Sequence, residues 1–361
     1  MKRNLLAIAI PALLVAGAAN ASIEVWNKDG NKLDLYGRVY ALNYVGDKAN
    51  GVDGEGDKTT GRIGFSGETQ VTDMLSGYGR FEYETKTGSS EDGSSETRYA
   101  FAGLNFGEFG SFDYGRNDGV LKSLTAYTDV LPEWGGNASN NNLYTLSART
   151  DAVATYRNSG FYGLVDGLDF ALQYADNGDN SNTTLAGRNN NSAEAYGATV
   201  QYAILDTGLS VGAGYAATNG DHDNKTWSAA VKYDAYDLYL AALYIQAKTD
   251  SKGVANYTDD AKVQGFEFVA QYGIDFEIGR LTPSLAYIQH KDKADDKFVA
   301  KYVEVGLQYD FNKNLTALVD YKINLLDTDK VSALAYKDGI ATGSKKGATK
   351  DTVALGLIYQ F

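Results

Sequence analysis

Between Arg80 and Lys86 every second residue is charged: Arg80, Glu82, Glu84 and Lys86 interleave with Phe81, Tyr83 and Thr85. On an extended chain successive side chains point to opposite faces, so guanidinium, carboxylate and amine groups share one face and rings the other. The same phase sets Arg38 with Asp34 and Tyr36, opposite Leu35, Val39 and Ala41. It sets Arg62 opposite Ile63 and Phe65, and Arg98 opposite Tyr99 and Phe101. All three arginines are therefore expected on a polar, water-facing side. Such a row can order water and ions, but it makes and breaks no covalent bond. Catalysis would need a base beside a nucleophile, and histidine is the usual one. The chain has two, His222 and His290, neither beside a serine or acid motif, so no enzymatic activity is expected. Zero cysteines exclude a disulfide frame and a cysteine metal site. The acidic runs at 176–182 and 219–224 read as solvated loops, and neither cofactor nor metal is expected.

The elements that carry these residues have period two throughout. Sixteen strands are predicted, near 33–46, 58–72, 76–88, 96–106, 109–117, 150–158, 166–177 and 192–205, then 208–219, 224–235, 236–249, 262–275, 279–291, 300–312, 314–327 and 350–361. In the fourteenth, Val303, Val305, Leu307, Tyr309 and Phe311 oppose Glu304, Gly306, Gln308 and Asp310. In the fifteenth, Leu315, Ala317, Val319, Tyr321 and Ile323 oppose Thr316, Leu318, Asp320, Lys322 and Asn324. The last sets Val353, Leu355, Leu357, Tyr359 and Phe361 on one face and ends the chain on an aromatic ring. Three prolines suit long hydrogen-bonded strands, forty glycines suit turns and close contacts, and twenty-seven tyrosines suit a boundary between oil and water.

A sandwich would also leave each sheet a polar second face. The connections discriminate better. Short turns such as 205–208, 234–237 and 310–314 alternate with polar loops near 47–57, 176–191, 250–261 and 326–349, the organisation of an outer-membrane barrel. Tyr233, Tyr272, Tyr309, Phe311, Tyr359 and Phe361 gather beside the short turns like an interfacial girdle. No stretch after Ala21 is long and apolar enough for a spanning helix, so a membrane crossing would require a closed barrel. An even count near sixteen makes that barrel wide enough for an aqueous channel. The fold class is all-β.

The first 21 residues have the order of a secretory signal: Lys2 and Arg3, an apolar run from Leu5 to Ala16, then Ala19-Asn20-Ala21. Cleavage there would leave one domain, 22–361, without those two bases, more acidic than the formal −13 of the whole chain. That balance argues against nucleic acid as a partner.

Several stretches resemble the enterobacterial general diffusion porins of the Gram-negative outer membrane. They include 27–38 (NKDGNKLDLYGR), 98–104 (RYAFAGL), 110–117 (GSFDYGRN) and 127–136 (YTDVLPEWGG). Three more are 153–159 (VATYRNS), 161–170 (FYGLVDGLDF) and the terminal Tyr359-Gln-Phe361. The resemblance implies a homotrimer of 16-stranded antiparallel transmembrane β-barrels, in contact with outer-membrane lipids including lipopolysaccharide. In each, a third long loop, here about Asp118 to Ser147, folds inward to narrow a channel for passive diffusion of small hydrophilic solutes and ions. It assigns acids to the constriction at Asp129 and Glu133, and bases at Arg38, Arg62, Arg98 and Arg149. Acids facing guanidiniums in a narrow lumen would set up a transverse field that favours hydrophilic solutes. Lys122 departs from the family pattern, in which an uncharged aromatic is frequent, and is a candidate modifier of ion selectivity. Glu91 and Arg116 match the residues through which one subunit latches onto the next. The competing readings are a sugar- or anion-selective channel of the same type, and a surface adhesin or receptor.

Overall fold

An open sheet cannot cross a bilayer, because its edges would leave amides and carbonyls unpaired in hydrocarbon. The computed structural model describes residues 22–46, 55–87, 95–141, 143–176, 194–219, 224–249, 261–332, 334 and 349–361, and these solve the edge problem by closure. Sixteen long strands form the wall. They are β1 (Asn31–Gly46), β2 (Thr60–Thr72), β3 (Leu75–Lys86), β4 (Ser95–Asn105), β5 (Ser111–Asp118) and β6 (Arg149–Asn158). Next come β7 (Leu168–Ala175), β8 (Glu194–Ile204), β9 (Leu209–Asn219), β10 (Asn224–Ala235) and β11 (Leu238–Thr249). The circuit ends with β12 (Ala261–Tyr272), β13 (Arg280–Asp292), β14 (Lys297–Asn312), β15 (Leu315–Asn324) and β16 (Thr352–Gln360). Each pairs antiparallel with the next, and β16 pairs with β1 from Thr352↔Gly46 to Gln360↔Arg38. A short strand, Ile23–Lys28, folds back on the start of β1.

All sixteen predicted strands are present, with ends within three residues of expectation. The two faces divide as the period requires. Ile63, Phe65, Leu355, Leu357 and Tyr359 are about half exposed on the outside, whereas Tyr36, Tyr40, Glu304 and Asp320 are buried within. Tyr309 and Phe311 meet edge to face at 4.8 Å beside a short turn, as an interfacial girdle requires.

The alternation of long and short connections is looser than expected. On the long-loop rim, the links 220–223 and 293–296 are only four residues each, and on the other rim 159–167 has nine. The turn from β10 to β11 is the tightest kind of hairpin, with Tyr236 at φ 54° and Asp237 at φ 61°, both left-handed as a twisted two-residue turn demands.

Strand β4 breaks the strict alternation expected of it. Between β3 and β4 the register shifts, with Glu82 opposite Tyr99 but Tyr83 opposite Thr97, so Arg98 is the extra residue of a β-bulge. Tyr99 and Phe101, expected on the outside, are buried within the barrel instead. Arg98 also reaches inward, through the bulge rather than through strict alternation.

Residues 119–148, between β5 and β6, turn into the barrel and pack on its inner wall. Val120, Leu121 and Leu146 meet Val153, Ala175, Ala195 and Ala216, while Leu124, Tyr127 and Tyr144 meet Ala230, Ala241, Leu243 and Ile245. The wall makes room by carrying small residues inward. At Gly265 a Cβ would stand 2.1 Å from the carbonyl oxygen of Ala138, a contact no side chain could make.

Candidate functional site

The basic wall is built on β1 to β4 and β6, and it is not purely basic. Glu82, 1% exposed, is its hub. Arg98 Nε donates to Glu82 Oε1 at 2.6 Å, Arg62 Nε lies 3.4 Å from the same oxygen, and Arg80 and the Tyr36 hydroxyl both donate to Oε2. Arg80 Nε also donates to the Tyr36 hydroxyl at 2.7 Å. Glu84, two residues on and on the same face, accepts from Arg62 Nε at 2.8 Å and from Arg98 at 3.3 Å, with Arg38 at 3.9 Å. Arg38 stacks over Tyr40 at 5.4 Å, and Arg80 over Tyr99 at 4.2 Å. Arg149, the first residue of β6, lies over the other side of this cluster, 5.8 Å from the Tyr99 ring. Planar guanidiniums clamped by carboxylates and rings are held in place, and mutual repulsion that would splay them is offset by Glu82 and Glu84.

The opposite wall is the inward segment, stapled to strands all round the barrel. Val120 N donates to Gln173 on β7 at 2.7 Å, and the Tyr127 hydroxyl to Gln201 on β8 at 2.9 Å. Buried Glu267 on β12 accepts from Ala138 N at 2.8 Å and from the Thr128 hydroxyl. Glu133 N donates to Asp320 on β15 at 3.0 Å, and Tyr302 on β14 donates to the Trp134 carbonyl at 2.8 Å. Trp134 is wedged between Tyr44, 5.3 Å away, and the Lys322 ammonium, 4.9 Å from its ring. The Glu133 carboxylate accepts from Tyr40 at 2.7 Å and from Tyr44. Desolvation between wall and segment pushes its carboxyl above the usual range, while those two hydroxyls pull it back. Asp129 is open to the lumen and bonds Asn140 at 3.1 Å. Enclosure deep in the barrel raises its carboxyl too, against the pull of Lys122 and Arg149.

Between the two walls lies a cavity of 960 Å³ lined by Arg62, Arg80, Arg98, Arg149, Lys122 and Asp129, among others. Lys122 thus lines the lumen, its Nζ 3.7 Å from Asp118. The structure brings together Arg62, Arg98, Arg149, Lys122 and Asp129 around this space, with Arg38 and Glu133 beside it through Glu84 and Tyr40. Arg116 points the other way: it lies opposite outward Ala100 and donates to the Thr97 carbonyl at 2.6 Å and to Asp151. Glu91 and His222 fall outside the described residues. Sequence reasoning placed Arg80, Glu82 and Glu84 on the polar face without giving them a part in the site. Their spacing showed which way they point, but nothing local showed which arginines they would meet.

A closed sixteen-stranded barrel, apolar outside and charged within, with a charged cavity beside a tucked-in segment, defines a water-filled membrane channel. The chain matches the Gram-negative porin family over residues 28–361 and belongs to it. It is similar to outer membrane protein F of Serratia marcescens, 44% identical over the whole of both chains, and to outer membrane porin N of Escherichia coli (strain K12), 41% identical with the same coverage. Among solved structures, the Salmonella typhi OmpF complex with daunomycin superposes with a TM-score of 0.77 at 35% identity, covering 94% of this chain and 100% of that one. This protein is thus an outer-membrane porin of the general type, a passive channel for small hydrophilic solutes and ions and not an enzyme.

Proposed function

We propose that selectivity is set where Asp129 and Glu133 on the inward segment face the arginines Arg38, Arg62, Arg98 and Arg149, with Lys122 tuning the balance. The observation that carries this reading is the cavity with Asp129 on one side and guanidiniums on the other. Charges of opposite sign across a narrow water-filled space create a field that a hydrated ion or dipolar solute can follow, while an apolar solute must displace oriented water. Lys122 adds positive charge on the acidic side. In a salt gradient across a planar bilayer, Lys122→Glu should therefore move the reversal potential toward cation preference, changing the permeability ratio by about two- to fivefold. Identical potentials for the variant and its parent would remove Lys122 from the filter.

The porin acts as a homotrimer, and three equal, coupled conductance steps in the same recordings are the expected signature. Arg116 supports this assembly: a guanidinium on the outer face, beside exposed Phe112 and Tyr114, is costly against lipid and better placed beneath another subunit. Glu91, on the loop after β3, would be its latch on the neighbour.

Outer-leaflet lipopolysaccharide is the proposed lipid partner on the opposite side. Near the long-loop rim Lys225 pairs in register with Lys248, and Lys248 with Lys262, all in phase with outward Trp227. Below them lie Gln246 and Gln264, bonded at 2.8 Å, then the rings of Tyr244 and Phe266. Cation, amide and ring in descending layers match phosphate, sugar and acyl chain. Replacing Lys225, Lys248 and Lys262 with Gln should lower lipopolysaccharide retained through purification about tenfold; unchanged retention would refute this face.

A further inference from the structure

The carboxylates among the wall's arginines are not equivalent. The side chains of Glu82 and Glu84, 1% and 11% exposed, are each gripped by several guanidiniums, so their charges are neutralised inside the wall. The Glu96 side chain is 54% exposed, and its one ion pair among the described residues is the 3.9 Å approach of Arg98. Register shows where it points. Beyond the bulge, Thr97 lies opposite outward Tyr83 and Glu96 opposite inward Glu84, so the Glu96 carboxylate faces the lumen. It is the second residue of β4 counted from the long-loop rim, on the outer side of Arg98, and its charge also acts on Arg149. Like charges directly opposite on a ladder are unfavourable, and here Arg98 Nη1 offsets both, 3.3 Å from Glu84 and 3.9 Å from Glu96. A carboxylate this exposed at this distance adds almost nothing to stability. Its charge is left to act on the lumen.

We propose that Glu96 is a selectivity-determining residue, an acid stationed in front of the arginine wall that lowers the anion preference the arginines alone would impose. The inference rests on reading that wall as one side of the filter. An ion entering from the long-loop side meets Glu96 before it meets Arg98 and Arg149. The carboxylate gathers cations at that point and subtracts from the positive potential of the two guanidiniums behind it. Glu82 and Glu84 cannot act in this way, because the arginines that enclose them aim their donors onto them and cancel their charge locally. Glu96 can also be altered without moving the wall. Arg98 keeps Glu82 at 2.6 Å and Glu84 at 3.3 Å whether or not a third acid lies beyond them.

Reversal potentials in a salt gradient, together with uptake of size-matched sugars into proteoliposomes, test this on the folded porin. Glu96→Gln removes the charge at nearly constant shape and Glu96→Lys reverses it, the first covering the case in which a lysine displaces Arg98. At low ionic strength the ratio of anion to cation permeability should rise about twofold in Glu96→Gln and about fourfold in Glu96→Lys, and both differences should shrink in concentrated salt. Uptake of a neutral sugar should stay at the parental rate in both variants, while uptake of an anionic sugar of the same size rises. Parental permeability ratios in both variants would overturn the assignment. So would neutral and anionic uptake changing in step, which would make Glu96 a determinant of bore rather than of charge. The double variant Asp129→Asn, Glu133→Gln, measured alongside, separates this inference from the reading beneath it. If the double variant shifts the ratio and the Glu96 variants do not, the role of Glu96 alone falls; if none of them shifts it, the charged constriction falls as well.

Discussion

Glu82→Gln should unfold with about 3 kcal/mol less stability than the parent and conduct with a stronger preference for anions. Glu82 is almost fully enclosed, yet it serves Arg62, Arg80, Arg98 and Tyr36 at once. Its amide analogue keeps the shape and removes the charge that lets three guanidiniums stand together. Breaking a buried ion pair by removing one partner typically costs about 3–5 kcal/mol, and lumenal water places this site at the lower end. Urea unfolding in detergent, followed by tryptophan emission or heat-modified gel mobility, would measure the loss. Glu96 is the internal control. It is half exposed and 3.9 Å from Arg98, so Glu96→Gln should be nearly silent in the same assay. Equal stability of both variants would mean that water, not Glu82, holds the arginine wall together.

Neutralising the other side of the lumen should have the largest effect on permeation. With Asp129→Asn and Glu133→Gln together, the arginine wall faces no formal negative charge on the inward segment. The ratio of cation to anion permeability should fall about fivefold at low ionic strength and recover toward parity in concentrated salt. Glu133→Gln retains an acceptor for Tyr40 and Tyr44, so the segment stays docked and the change is one of charge. Acid should imitate the double variant in the parent. The Glu133 carboxyl sits above its ordinary value because burial disfavours the charged form, so it gains a proton earlier than exposed acids as pH falls. Anion preference in the parent should thus rise on mild acidification, and the double variant should lack that response. A pH-dependent reversal potential that persists unchanged in the double variant would assign the titration to other groups.

Arg38 and Arg62 were legible as lumenal from phase alone, since neither strand is interrupted near them: they lie directly opposite one another across β1 and β2. Arg98 was assigned to the correct side by an argument that its strand does not obey. A bulge inserts one residue at 97–99, and from there the inside and outside positions of β4 exchange. The consequence is a pair of inward rings, Tyr99 and Phe101, and Tyr99 then becomes the surface on which Arg80 stacks and beside which Arg149 lies. Nothing in Arg98-Tyr-Ala-Phe announces the bulge, because it depends on how β4 meets β3 rather than on the composition of either.

The inward segment divides the same way. Its length and its place between β5 and β6 mark it as functional in the sequence alone, since a hairpin connection does not need about thirty residues. Its anchors were invisible, because Thr128 meets Glu267, Glu133 meets Asp320 and Tyr302 meets Trp134 across more than a hundred positions of chain.

The amino-acid sequence by itself determined that this chain is a closed barrel with a wet interior: period two, an even number of strands and rings beside the short turns are local properties, and lipid accepts no other arrangement of them. Only the tertiary structure decided which charges meet, because the stagger between strands, the bulge in β4 and the path of the inward segment set distances across the lumen. Those distances depend on the whole circuit of the wall, and no single strand encodes them.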